Sequence, residues 1–197
     1  MIEAGIQDVE LWKLGGTALP PDAFFGAARK EILISAATAH ATLNGFAELL
    51  KSKAEAGTSV NFLLLHPVRG KPELGRWSRR EGNHFIDMVA ESRRVINLVA
   101  DEGYHKRFHF RFVDTLAPFT AIIIDGDVAR IRNPKDSEAQ LRIHPSSKYS
   151  FGSKGGLVIQ LAKGPTPSAF DYYAADLRKQ WAEGKRDQGL FKRPKKR

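Results

Sequence analysis

Residues 29–67, RKEILISAATAHATLNGFAELLKSKAEAGTSVNFLLLHP, decide the fold class. Ile32–Ala36 is a short apolar run of strand length. Across 42–55, Leu43, Phe46, Ala47, Leu50 and Ala54 recur at helical spacing, and Gly57 supplies the stop expected just past a helix C-terminus. Val60–Leu65 is a second apolar run, closed by His66-Pro67. Two continuous apolar strands around a crossover helix predict a parallel β-α-β unit buried on both faces. Ligands of such sheets gather outside the carboxyl ends of the strands, so Ser35–His40 and His66–Arg69 are expected on the functional rim.

Upstream, a strand is expected at Val9–Leu14 and a short helix at Asp22–Arg29, opened by Pro20-Pro21. Downstream, Val68–Asn83 is polar and basic, with Arg69, Lys71, Arg76, Arg79 and Arg80 around Trp77. Phe85, Met88, Val89, Ile96 and Val99 predict an amphipathic helix over 84–102. The period then changes. Phe108, Phe110 and Phe112 alternate with His109, Arg111 and Val113, which reads as a strand. Phe119–Ile124 is a strand, Asp125-Gly126 a hairpin dipeptide, and Val128–Arg132 its expected partner. Gln140–His144 and Leu157–Ala162 are further strands. The last helix is expected to be capped by Thr166, with Pro167 in its first position and a buried stripe of Phe170, Tyr173, Ala174, Leu177 and Trp181. The order predicts an α/β architecture with a mixed, partly parallel central sheet.

Of 197 residues, 42% are hydrophobic and 27% charged, which fits one soluble domain. No apolar run is long enough to span a membrane, the N-terminus lacks a signal-peptide core, and a cytoplasmic home with no membrane insertion is expected. The absence of cysteine removes disulfides, thiolate zinc sites and cysteine nucleophiles. The net charge of +9 is uneven: residues 184–197 hold seven Lys/Arg and one Asp, and the other 183 residues hold 24 basic and 21 acidic groups. The division expected is a folded domain at 1–183 and a disordered basic tail at 184–197. In the tail Lys192, Arg193, Lys195, Lys196 and Arg197 are candidates for electrostatic contact with nucleic acid.

The strand-helix order, the segments EILISAA, FRFVD and AIIIDGDVARI, and the closing helix ending in Trp181 resemble the phospholipase D-like superfamily over roughly residues 22–183. The most specific piece is Ile122-Ile123-Ile124-Asp125-Gly126, a hairpin that the family places just after its catalytic motif. The resemblance implies a phospholipase D-like α/β/α sandwich. It also implies that a nucleophilic His and a phosphate-binding Lys should precede Asp125 by seven and five residues. Those positions hold Pro118 and Thr120, neither of which replaces an imidazole or a cation. The chain is therefore similar to degenerate members that serve as sensor or effector modules. Because active members pair two such halves, a homodimer is implied.

The expected function is non-catalytic binding of a phosphate-bearing ligand, a nucleotide or nucleic acid, with no cofactor and no metal. The expected site is Thr38, His40, His66, Arg69, Arg79, Arg80, Thr120 and Asn133, the arginines gripping anion through their forked guanidinium groups. Each has a plainer structural reading: His40 capping a helix start, His66 a half-buried turn residue, the 69–80 loop a solvated surface. The Gly/Ser-rich stretch 145–156 could cradle phosphate but lacks the P-loop pattern. Two alternatives stand beside this reading. One is a phosphodiesterase or nuclease using His40 or His66. The other is a protein-interaction component of a bacterial regulatory or defence system.

Overall fold

A computed structural model describes residues 6–11, 21–37, 40–66, 69–70, 106–115, 119–126, 140–145, 157–163 and 167–186. In chain order its elements are β1 (Ile6–Leu11), α1 (Pro21–Ala27), β2 (Glu31–Ala36), α2 (His40–Glu55), β3 (Ser59–Leu65), β4 (Phe108–Val113), β5 (Phe119–Ile124), β6 (Gln140–Pro145), β7 (Leu157–Ala162) and α3 (Ala169–Glu183). The seven strands form one mixed sheet in the order β1-β7-β6-β5-β2-β3-β4. Strands β2 and β3 pair in parallel, as the opening stretch predicts, with Ile34 beside Phe62. Strand β4 continues the parallel half beyond β3, and β5, β6, β7 and β1 run antiparallel on the other side of β2. No described helix is long and apolar enough to cross a membrane.

The burial follows the residue pattern. Strands β2 and β3 are continuous apolar runs because both of their faces are covered. One core joins Ile32, Ile34, Val60, Phe62, Leu64, Phe108, Phe110, Phe112, Ile122 and Ile124 to Phe24, Phe25 and Ala28 near α1 and to Leu43 and Leu50 of α2. The other joins Leu33, Leu63, Leu65, Ala121, Ile123 and Leu161 to Phe170, Ala174 and Leu177 of α3. Tyr173 and Trp181 pack against this second core from part-exposed positions. Strand β4 is the sheet's edge, and its FHFRFV sequence alternates buried and half-buried accordingly.

The structure corrects several details. The first strand is Ile6–Leu11 rather than 9–14, and α1 ends at Ala27 rather than Arg29. Strand β5 is flanked by β2 and by β6, with Ile124 opposite Gln140, and Val128–Arg132, expected as its partner, lies outside the described residues. Asp125 instead takes a left-handed conformation (φ 52°), and its carboxylate accepts the backbone N–H groups of Arg29, Lys30 and Glu31 at 2.7–3.0 Å. The start of β2 is thus clamped from the end of β5. Close by, Arg178 of α3 grips the Glu31 carboxylate with both terminal nitrogens and donates to the Gly126 carbonyl, while Asn61 donates to Glu31 at 2.5 Å.

The cap of α3 is Ser168, not Thr166. The Asp171 carboxylate accepts from the Ser168 N–H at 2.8 Å and from its hydroxyl at 2.9 Å. Beyond α3 the chain is still part of the fold at Lys185, which exchanges two backbone hydrogen bonds with Phe112, 2.9 and 3.0 Å. Gly184 lies there close against Arg111 and Leu63.

Candidate ligand cleft at the strand ends

The carboxyl ends of β2, β3 and β4 lie at one end of the sheet because the three strands are parallel. After β3 the chain turns tightly. The His66 N–H donates to the Val113 carbonyl at 2.8 Å, which carries the β3–β4 ladder one residue further. The His66 carbonyl accepts from Gly70 N–H at 2.8 Å, and its Nδ1 accepts from Arg69 N–H at 3.1 Å. An accepting Nδ1 carries no hydrogen, so the ring proton is on Nε2. The ring is 4% exposed and meets Phe112 edge-on at 5.9 Å. Gly70 is required here, since a Cβ would come within 2.3 Å of Leu65 and 2.7 Å of the His66 carbonyl oxygen.

This turn presents Arg69 to the end of β4, where its Nε donates to Asp114 at 2.8 Å. The two residues form one wall of a cleft of about 480 Å³ between the end of β4 and the end of α3. Phe112, Val113, Thr115, Gln180, Glu183 and Lys185 complete the lining. The volume falls in the range of small-ligand sites. The Arg69–Asp114 pair is about half exposed, which puts its worth at no more than ~1 kcal/mol. Gln180 donates through Nε2 to Asp176 at 2.7 Å, while its Oε1 is buried without a donor among the described residues. A buried acceptor without a donor is uncommon.

Of the residues expected from sequence, the structure places Arg69 in this cleft and His66 beneath it as the residue that shapes the turn. Thr120 lies elsewhere. It sits at the same end of the sheet, on β5, but three strands from β4, roughly 14 Å at ordinary strand spacing. It also shares the face of Ile122 and Ile124, opposite to α3. His40 is the first residue of α2; its side chain, like Thr38, Arg79, Arg80, Pro118, Asn133, the 146–156 stretch, the 84–102 helix and Lys192–Arg197, lies outside the described residues. Asp114, Thr115, Gln180, Glu183 and Lys185 were not expected. Asp114 and Thr115 could have been read from the strand-end rule that pointed to His66 and Arg69.

A second polar group lies on the α3-facing side of β4. His109 is half-buried there opposite Asn61. Burial, and after it the charges of Arg186, Arg107 and Arg111, hold its pKa below the ordinary 6.5. The unfolded chain therefore takes up the proton first as pH falls. The neutral ring's contribution to stability is present above about 6.5 and is lost as the pH drops toward and through the lowered value. Urea midpoints at pH 7.5, 6.5 and 5.5 are expected to fall in the wild type and to fall less in His109→Gln; parallel profiles would contradict this.

Among the described residues no group of three or more His, Asp or Glu is placed to hold a metal. No protein-family model matches the chain, and no curated protein matches its sequence. Among solved structures, one described as TrmBL2, an archaeal chromatin protein that shows a novel mode of DNA binding, superposes with a TM-score of 0.47 at 12% identity. The match covers 83% of this chain and 47% of that one, so the chain spans about half of its length. A likeness at that level says nothing of what this chain binds.

Proposed function

We propose that this chain is a non-catalytic, phospholipase D-like regulatory domain that binds a phosphate-bearing small molecule of nucleotide size in the cleft at the ends of β3 and β4. The supporting observation is the convergence there of two cations, Arg69 and Lys185, with Thr115. A phosphate would draw Arg69 from its weak exposed pair with Asp114 and engage the guanidinium fork. The carboxylates of Asp114 and Glu183 in the same lining suit the hydroxyl or amino donors of a sugar or base, rather than a bare anion. Non-catalysis rests on Pro118 and Thr120, which stand where the resembled family has its nucleophile and cation, and pairing of two copies belongs to the same reading.

Isothermal titration with nucleoside mono-, di- and triphosphates tests it. Micromolar binding is expected, weakened about 10–100-fold in Arg69→Ala, the range for loss of a charge-assisted hydrogen bond. Binding unchanged in both Arg69→Ala and Lys185→Ala, or no binding across the panel, would overturn the site. Turnover of a generic phosphodiester that is lost in His66→Ala would overturn the non-catalytic reading.

A further inference from the structure

The α3-facing side of β4 and the turn before it hold basic groups that the cleft does not use. Side chains alternate along a strand, so His109 and Arg111 share one face of β4, about 6.6 Å apart, and Arg107, in the turn just before the strand, lies near enough for its charge to act on His109. Arg111 has a structural task. Its Nη1 donates to the Trp181 and Ala182 carbonyls at 2.6 and 3.2 Å, and its guanidinium stacks 4.8 Å from the Trp181 ring centroid. It thereby closes the end of α3 and directs the following residues along β4. The Phe112–Lys185 bridge is antiparallel, which sets Arg186 opposite Arg111 on this same face. Arg107 and Arg186 are exposed, and no carboxylate among the described residues pairs with either. Across from His109 stands neutral Asn61, and beyond it Glu31 is held by Arg178.

We propose that Arg107, His109 and Arg186 form a contact surface for the phosphate backbone of nucleic acid. Two exposed guanidinium groups beside an imidazole that can take up a proton fit a repeating phosphate better than a single one. The chain continues directly from Arg186 into a segment ending Lys192-Arg193-Pro194-Lys195-Lys196-Arg197, which extends the positive charge in sequence. Burial, and after it the like charges of Arg186, Arg107 and Arg111, lowers the His109 pKa; a bound anion would offset the second of these causes and so favour the imidazolium.

The inference stands apart from the cleft and has its own test. Fluorescence anisotropy with the full-length chain and a labelled 20-base-pair DNA duplex, over 50–300 mM salt, measures affinity and salt slope. The double variant Arg107→Ala/Arg186→Ala is expected to make the log–log salt slope shallower by about 2 and to weaken binding roughly 60-fold at 0.1 M salt. Wild-type binding is expected to tighten between pH 7.5 and 5.5, and His109→Gln to lose part of that gain. Arg69→Ala should leave the slope unchanged, which separates this surface from the cleft. Wild-type failure to bind the duplex, a slope unaltered in the double variant, or binding to phosphatidylserine vesicles with none to the duplex would each overturn the proposal. Because both arginines are exposed, circular dichroism of the double variant should match the wild type.

Discussion

Asp125→Ala is expected to lower the unfolding free energy by about 3 kcal/mol, seen as a lower urea midpoint at unchanged m-value. Two causes add. The carboxylate accepts three backbone N–H groups, those of Arg29, Lys30 and Glu31, and only water would replace it for the more exposed two. The residue also sits at φ 52°, where alanine costs about 1–2 kcal/mol and Asn, Asp or Gly little. The conservative series separates the causes. Asp125→Gly relieves the backbone cost but not the lost acceptor. Asp125→Asn keeps an acceptor and the conformation, and should cost only about 1 kcal/mol. Equal losses for all three would show that the clamp at the start of β2 is not what stabilises this end of the sheet.

Phe62→Ala is expected to cost about 4 kcal/mol. Its ring is fully buried at the centre of β3, stacked 4.9 Å from Phe110 and 6.2 Å from Phe108. Both neighbours come from β4, so the loss would open a cavity between the two parallel strands that carry the cleft. Against a total stability of ~5–15 kcal/mol, that is a large share. Phe62→Leu, which keeps most of the apolar volume, should cost no more than ~1.5 kcal/mol. A loss under about 1 kcal/mol for the alanine variant would contradict the packing described for β3 and β4.

The parallel half of the sheet was readable because its signals are local. Ile32–Ala36 and Val60–Leu65 are unbroken apolar runs, and Gly57 marks the end of the helix between them. The position of β4 was not readable. FHFRFV announces a strand, yet nothing in those six residues says that it lies parallel to β3 at the edge of the sheet. That pairing is settled by contacts distant in sequence. Asp125-Gly126 misled for the opposite reason. The dipeptide is a strong local hairpin signal, but here the aspartate carboxylate reaches back to residues 29–31, and the edge of β5 is taken by β6. Ser168 with Asp171 three residues on is a capping pattern visible in the sequence, obscured by the Thr-Pro that precedes it.

The site divided in the same way. Arg69 followed from its place after a buried parallel strand. Lys185 and Gln180 did not, because they reach the cleft only through the return of α3 across the sheet, and by charge alone Lys185 belongs with the basic tail. His66, a residue with catalytic chemistry, shapes the backbone turn that carries Arg69. Thr120, whose interest comes from its place in a motif, lies on β5, on the face opposite to α3.

In the proposed function a phosphate-bearing small molecule binds in the cleft between β4 and α3. Amide chemical-shift mapping of the full chain during titration with a nucleoside monophosphate tests it most directly. Saturating shifts concentrated at Arg69, Gly70, Asp114, Thr115 and Lys185 are expected, lost in Arg69→Ala. Shifts confined to residues around Thr120 or to Arg107 and His109, or no saturating shifts, would contradict it.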